Sequence, residues 1–134
     1  MTEVVLDASV VLKWFRVEGE RHVEPARSLR AAFEAGELIV LTPPLLFLEI
    51  VNVAARRWHW TETSLVDLVI ALEDLGFDVR NPELTLVARW TAHGLTAYDA
   101  AYVALAEGHG IGLITDDDLI VAAAAGIATA LSAG

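Results

Sequence analysis

The chain has 134 residues, the size of one domain, and 55% of them are hydrophobic, which indicates a packed core rather than a disordered segment. It contains no cysteine, so disulfide bonds and thiolate metal sites are excluded. The formal net charge of −10 has the opposite sign to that of most nucleic-acid-binding proteins. It indicates either a surface that keeps the chain in solution or a set of carboxylates that converge on a cation.

Apolar periodicity and helix-boundary residues together predict a regular alternation of strands and helices. The run Leu65, Leu68, Val69 and Leu72 has helical spacing, prolines open two of the predicted helices, and glycines follow others. In chain order the predicted elements are strand 3–6, helix 22–35, strand 38–41, helix 45–58, helix 61–75, strand 77–79, helix 82–93, helix 96–109, strand 111–115, helix 118–125 and strand 127–131.

Alternating apolar strands and helices are typical of an α/β fold. We therefore expect one domain over residues 1–134, with a central, mostly parallel β-sheet covered by helices on both faces. Neither a signal peptide nor a membrane-spanning segment is expected, because the chain begins with a strand-like segment and no apolar run reaches the ~20 residues that a bilayer requires. A cytoplasmic protein is the expectation.

Carboxylates occur where the predicted strands end and inside apolar stretches of two helices. Asp7 follows the first strand, and residues 116–118, all aspartates, follow the strand that ends at Thr115. Glu49 and Asp99 lie on helices among apolar and aromatic neighbours. Because ligands of open parallel sheets bind beyond the carboxyl ends of the strands, the strand-end acids are candidates for a site.

A group of carboxylates brought together needs a cation, since two of them about 4 Å apart repel by roughly 4 kcal/mol at an effective dielectric of 20. Mg²⁺ and Mn²⁺ prefer hard oxygen ligands of this kind. The set therefore predicts a site for metal-assisted phosphodiester hydrolysis.

Each acid also has a structural interpretation. Asp99 stands three residues after Thr96, so the pair can cap a helix, and Asp7 and the run 116–118 can likewise cap the segments that follow them. Glu49 can be a solvated residue at a helix edge. The order of all four positions along the chain, two at strand ends and two on helices, favours a functional role.

That ordered set resembles the PIN domain, and the residues around it resemble the VapC toxin branch of that family. The matching segments are 4–11 (VVLDASVV), Glu49 with Asn52, 95–106 (LTAYDAAYVALA) and 113–117 (LITDD), of which 95–106 is the most specific. The resemblance covers essentially the whole chain.

The resemblance implies an endoribonuclease that uses Mg²⁺ or Mn²⁺, with Asp7, Glu49, Asp99 and one of the last aspartates as catalytic and metal-binding residues. The family's spacing after the threonine selects Asp117, while a second register selects Asp116; we favour Asp117 and keep both as metal candidates. Ser9 and Thr115 would orient the ligating carboxylates through hydrogen bonds.

The resemblance also implies partners. Such a protein is the toxin of a type II toxin–antitoxin module, is neutralised by a VapB-type antitoxin, and often forms a homodimer. An acidic groove suits a basic antitoxin segment, whereas RNA needs local cations and aromatic rings. The candidates for RNA contact are Lys13, Arg16, Arg56, Arg57, Trp14, Trp58 and Trp60. The cations can equally form a solvated fringe, and tryptophans in a small domain more often belong to a core or an interface.

Two other functions compete with the nuclease. A catalytically silent PIN-fold domain that only binds a partner is one, although all four acidic positions are filled. A receiver-like signalling domain is the other, but its acids would cluster after the first strand. The four histidines have no metal-binding spacing.

Overall fold

Five strands form one sheet at the centre of the computed structural model, which describes residues 1–133. The strands are β1 (Thr2–Leu6), β2 (Leu38–Thr42), β3 (Asp78–Val79), β4 (Gly112–Thr115) and β5 (Ala128–Ala130). Their order across the sheet is β3-β2-β1-β4-β5, and every pairing is parallel. The predicted α/β fold with a parallel sheet is confirmed.

Helices connect all the strands, as parallel pairing requires. They are α1 (Ala8–Val11), α2 (Val23–Glu34), α3 (Leu45–Arg56), α4 (Glu62–Asp74), α5 (Leu84–Ala92), α6 (Ala97–His109) and α7 (Asp118–Ala123). Thr61 and Thr96 cap α4 and α6 as predicted, because each side chain accepts a hydrogen bond from a backbone N–H of the first turn.

Several predicted boundaries were wrong. Helix α1 was expected only as the short segment that Asp7 could cap, and the 3-10 turn Leu12–Trp14 was not predicted, because so few residues show no helical period. The predicted helix 45–58 ends at Arg56, and His59 just beyond it has φ 57°, which no helix continues. The last strand stops at Ala130, where Leu131–Ala133 turns into a 3-10 helix.

The strand order reverses between β1 and β4. From β1 the chain adds β2 and β3 on one side, then crosses back to place β4 and β5 on the other. Since such crossovers are almost always right-handed, the connections before and after β3 cover opposite faces of the sheet. The reversal is a topological switch point, where open α/β sheets bind ligands.

Helix α6 is the central helix of the core. Residues 100–106 are all buried, and four of them are alanines that let the helix pack closely on β1 and β4. The helix ends at His109 and β4 begins at Gly112, so α6 runs back along the sheet with its first turn at the carboxyl edge of β4. This geometry carries Asp99 to the same edge as Asp7.

Apolar surface remains outside the core on α4, where Val66, Val69 and Ile70 are exposed beside Val51 of α3. Among residues 1–133 we find no helix with the length and hydrophobicity that a bilayer crossing requires.

Candidate active site

Asp7 is a buried carboxylate directly after β1. The residue is 4% exposed, its Oδ1 accepts a hydrogen bond from Ser9 Oγ at 2.6 Å, and its Oδ2 accepts one from Thr115 Oγ1 at 2.5 Å. It stands at the N-cap position of α1, but its side chain makes no capping hydrogen bond. No lysine, arginine or histidine of the described chain forms an ion pair with it. Burial raises the pKa of Asp7, the two hydroxyl hydrogen bonds lower it and the charge of Asp117 raises it, and together they bring the pKa to about 6.

The hydroxyls of Ser9 and Thr115 join the ends of β1 and β4. Ser9 Oγ accepts a hydrogen bond from the Asp116 N–H at 2.8 Å, and Thr115 Oγ1 accepts one from the Asp117 N–H at 3.0 Å. Both hydroxyls donate to Asp7. The geometry therefore matches the orienting role that the resemblance implied for these two residues.

Asp117 caps α7 and also faces the other acids. Its Oδ1 accepts hydrogen bonds from the N–H groups of Leu119 at 2.9 Å and Ile120 at 3.3 Å. Burial raises the pKa of Asp99, and the nearby charge of Asp117 adds to the rise. The backbone of Asp99 also takes part in the N-cap of α6, because its N–H donates to Thr96 Oγ1 at 3.1 Å. Asp117 thus combines a capping carboxylate with membership of the acidic group, whereas at Asp99 only the backbone takes part in the cap.

Glu49 reaches the group from α3. Burial raises its pKa, a hydrogen bond from Tyr102 counteracts the rise, and the charge of Asp99 adds to it. The Tyr102 hydroxyl donates to Glu49 Oε1, and burial together with the Glu49 charge raises the pKa of this almost fully buried phenol. Sequence reasoning missed Tyr102, although its place three residues after Asp99 puts both on one face of α6.

Asp116 differs from the other four acids in having basic side chains as partners. It pairs with Lys13 Nζ at 3.1 Å, His22 Nδ1 at 2.8 Å and Arg21 Nε at 3.3 Å. Burial opposes ionisation, but the hydrogen bonds from His22 and Lys13 and the charges of Lys13 and Arg21 lower the pKa of Asp116. Its charge is therefore compensated within the protein, while Asp117 adjoins Asp7 and Asp99.

Two residues predicted to meet RNA are parts of the interior. Lys13 is 4% exposed, and its ammonium lies between Glu20 at 2.8 Å and Asp116. Trp14 packs against Phe33 and Phe77, and its Nε1 donates to the Ala26 carbonyl at 2.9 Å. RNA contact is therefore the wrong interpretation of both residues, and the alternative of a core position is correct for Trp14, because the 3-10 turn that carries them faces the core.

The carboxylates of Asp7, Glu49, Asp99 and Asp117 are ligands of the kind that a divalent cation prefers. Asp117 raises the pKa of both Asp7 and Asp99, and Asp99 raises that of Glu49, so these carboxylates repel one another along a chain of neighbours. No three Asp, Glu or His groups in the described part of the chain stand close enough to ligate one ion by themselves. Mg²⁺ takes only one or two carboxylates directly and keeps several waters, so the donor set is compatible with it.

Comparison with known proteins identifies the family. The profile of the PIN domain matches residues 4–126. The chain belongs to the PIN domain family. The family resemblance seen in the sequence motifs is confirmed. No curated protein matches the chain by sequence.

Solved structures share the PIN fold of this chain. PAE2754 from Pyrobaculum aerophilum is 24% identical with a TM-score of 0.67, over 98% of this chain and 92% of that one. VapC20 from Mycobacterium tuberculosis, a sarcin-ricin loop cleaving toxin, is 17% identical with a TM-score of 0.66, over 90% and 94%. A toxin-antitoxin complex from Klebsiella pneumoniae is 20% identical with a TM-score of 0.61, over 96% and 97%. At these identities the likeness shows the fold.

Proposed function

We propose that this PIN domain is the toxin of a type II toxin–antitoxin module, an endoribonuclease that requires Mg²⁺ or Mn²⁺. Asp7, Glu49, Asp99 and Asp117 are the proposed catalytic and metal-binding residues. Asp116 is the weaker candidate, because its charge is already balanced by Lys13 and its neighbours. Support at the level of the family comes from the PIN profile and from the fold shared with VapC20.

The observation that carries the proposal is the state of Asp7. A buried carboxylate without a cationic partner is costly, and such groups in proteins are normally paired or bound to a metal. Here both oxygens are held by hydroxyls, yet burial still raises the pKa to about 6. A buried negative charge with no cationic side chain beside it suits a bound metal ion.

The protein's own residues would contribute position and charge to hydrolysis. Ser9 and Thr115 fix the orientation of Asp7, and Tyr102 holds one oxygen of Glu49. The capping bonds on Oδ1 of Asp117 fix that side chain at the same edge. A divalent cation bound by these acids would supply the Lewis acidity that phosphodiester hydrolysis requires.

The proposal is tested by RNA cleavage. Purified protein is incubated with end-labelled RNA in Mg²⁺, Mn²⁺ or EDTA, alongside Asp7→Asn, Asp99→Asn and the control Asp118→Asn, whose carboxylate is solvent-exposed. We expect metal-dependent cleavage that falls by roughly 100-fold or more in the first two variants, as when a charge-stabilising group is lost. Asp118→Asn should cut like the wild type. Equal cleavage in EDTA would refute metal dependence, and a wild-type protein that binds an antitoxin but cuts no RNA would favour the silent PIN domain.

The proposed partners are RNA, a VapB-type antitoxin and a second copy of this chain. An antitoxin is suggested by the toxin-antitoxin complex that shares the fold. The net charge of −10 suits a basic antitoxin segment. Homodimerisation would cover apolar surface such as Val66 and Ile70. A monomeric mass from light scattering would refute the dimer.

A further inference from the structure

Two arginines at the end of α3 differ from every other cation in residues 1–133. The chain has nine lysines and arginines, and seven of them pair with a carboxylate within 4 Å. The seven are Lys13, Arg16, Arg21, Arg27, Arg30, Arg80 and Arg89. Arg56 and Arg57 have no such partner in the described structure, and both are exposed. They are therefore the cations with charge available for a ligand.

Arg57 lines a polar cavity of about 320 Å³, and Arg56 does not. The cavity also contains Ser9, Arg21 and Asp116. Ser9 Oγ, in turn, donates to Asp7 Oδ1 at 2.6 Å. The cavity is therefore one side chain away from the buried carboxylate of the proposed active site.

The other charges of this cavity balance one another. Lys13 pairs with Glu20 and Asp116, while Arg21 lies 3.3 Å from Asp116 and 3.8 Å from Asp118. Arg57 remains as a surplus positive charge beside an acidic site. An anion entering here would meet a guanidinium whose donors are unused, which is the geometry that phosphate prefers.

An aromatic surface follows Arg57 directly in the chain. Trp58 and Trp60 have ring centroids 5.2 Å apart, and the Arg16 guanidinium lies 5.5 Å from the Trp58 ring. Both residues pack against the core and are only partly buried. Alternating cations and aromatic faces are the pattern by which proteins hold single-stranded nucleic acid, because phosphates and bases alternate along the strand.

We infer that the cavity at Arg57 binds a backbone phosphate of the RNA strand, next to the phosphate that is cut. Trp58 provides the stacking surface for the adjoining base. The inference rests on the proposed function and names how that site holds its substrate. Arg57 is a substrate-binding residue here, and Arg56, one position earlier on the same helix end, is not.

Binding of RNA tests this without requiring cleavage. Fluorescein-labelled single-stranded RNA is titrated with Asp7→Asn protein in Mg²⁺ over a series of KCl concentrations. The titration is repeated after Arg57→Ala, Arg56→Ala or Arg57→Lys is introduced separately into the Asp7→Asn protein. Thermal melts establish that each variant is folded. We expect Arg57→Ala to weaken binding about fivefold near 0.1 M salt and to make the slope of log K against log salt shallower by about 0.7, the effect of one lost phosphate contact to a single strand. Arg57→Lys should recover part of the loss, and Arg56→Ala should bind like the parent.

The inference is overturned if Arg56→Ala and Arg57→Ala weaken RNA binding equally, if neither does, or if the parent does not bind RNA. It is also overturned if Arg57→Ala weakens binding of an antitoxin but leaves RNA binding unchanged. Failure of the proposed nuclease has a separate signature. If the wild-type protein binds RNA through Arg57 but cuts none, the phosphate site is supported and the nuclease is refuted. If the protein cuts RNA and Arg57→Ala leaves the KM unchanged, the nuclease is supported and the phosphate site is refuted.

Discussion

Asp7 carries its charge where water scarcely reaches, and this has a consequence for stability in the absence of metal. The pKa of about 6 lies above the 3.8 of an ordinary aspartate, so the folded state binds the proton more tightly than the unfolded chain. Between pH 4 and 6 the folded state therefore holds more protons, and stability contributed by this group falls as the pH rises through that window. At pH 7 the ionised carboxylate should destabilise the metal-free protein by about 1–3 kcal/mol.

Asp7→Asn should therefore stabilise the metal-free protein at pH 7 while abolishing cleavage. The amide keeps the size of the side chain and its neighbours Ser9 and Thr115, but removes the buried charge. We expect the gain in free energy of unfolding, measured by urea denaturation in EDTA, to be present at pH 7 and to vanish at pH 4. A variant less stable than the wild type at pH 7 would show that the hydroxyl bonds to the carboxylate outweigh its desolvation.

We expect the hydroxyl of Tyr102 to contribute to both stability and cleavage through its hydrogen bond to Glu49. Tyr102→Phe keeps the buried ring but removes the hydrogen bond to the Glu49 carboxylate, which should cost about 1–2 kcal/mol of stability, as for a bond to a charged group that is partly solvated. Cleavage should fall less than in Glu49→Gln.

Tyr98→Phe is the matched control, since that tyrosine lies on the same helix and is 64% exposed. Its stability and activity should stay at the wild-type level. Equal losses in Tyr98→Phe and Tyr102→Phe would mean that the effect belongs to tyrosine in α6 generally and not to the contact with Glu49.

At the scale of the elements, the long periodic helices and the apolar strands were predictable, whereas the 3-10 turn Leu12–Trp14 was not. The strands and helices of more than four residues followed from apolar spacing and caps such as Thr61 and Thr96. Residues 12–14 gave no signal, because the turn from α1 into the 3-10 helix is decided by packing. For the same reason Lys13 and Trp14, which the sequence left as candidates for RNA contact, turned out to be buried.

Alanine substitutions at two glycines near the end of α6 should change the free energy of unfolding in opposite directions. Gly110 has φ 64° and ψ 32°, a left-handed conformation that an alanine resists, so Gly110→Ala should destabilise by about 1–2 kcal/mol. Gly108 lies inside the helix, and a methyl group there would meet only Leu86 Cδ1 at 3.6 Å. Gly108→Ala should therefore stabilise by about 0.5–1 kcal/mol.

Urea denaturation of both variants measures these differences. Changes of the same sign would show that the conformation at residue 110 does not limit the substitution, or that Leu86 resists the added methyl group. Neither glycine belongs to the proposed site, so cleavage should be unchanged.

At the scale of the whole molecule, the approach of the strand-end acids to one another was predictable, because parallel strands end at one edge. Asp7 and the aspartates after β4 had to meet once β1 and β4 paired, and the register brings Leu6 beside Ile114. The choice between Asp116 and Asp117 was not predictable in the same way. It depends on Lys13 and His22, which approach Asp116 from distant parts of the chain and whose position only the folded structure gives.

The acidic edge should make the stability of the whole domain depend on divalent metal. A ligand that binds only the folded state stabilises it by about 2.7 kcal/mol at a hundredfold excess over Kd. We expect Mg²⁺ and Mn²⁺ to raise the melting temperature of the wild type by several degrees relative to EDTA. Asp117→Asn should lose this rise while keeping the cap of α7, because asparagine caps helices as well as aspartate does.

Asp118→Asn is the control for that experiment, since it removes the same charge one residue later from a side chain that is 87% exposed. It should keep the full metal-dependent rise, which separates a specific site at Asp117 from general screening of a chain with net charge −10. Equal loss of the rise in both variants would indicate screening. If a third variant, Asp116→Asn, loses the metal-dependent rise while Asp117→Asn keeps it, then Asp116 and not Asp117 is the fourth metal-binding acid.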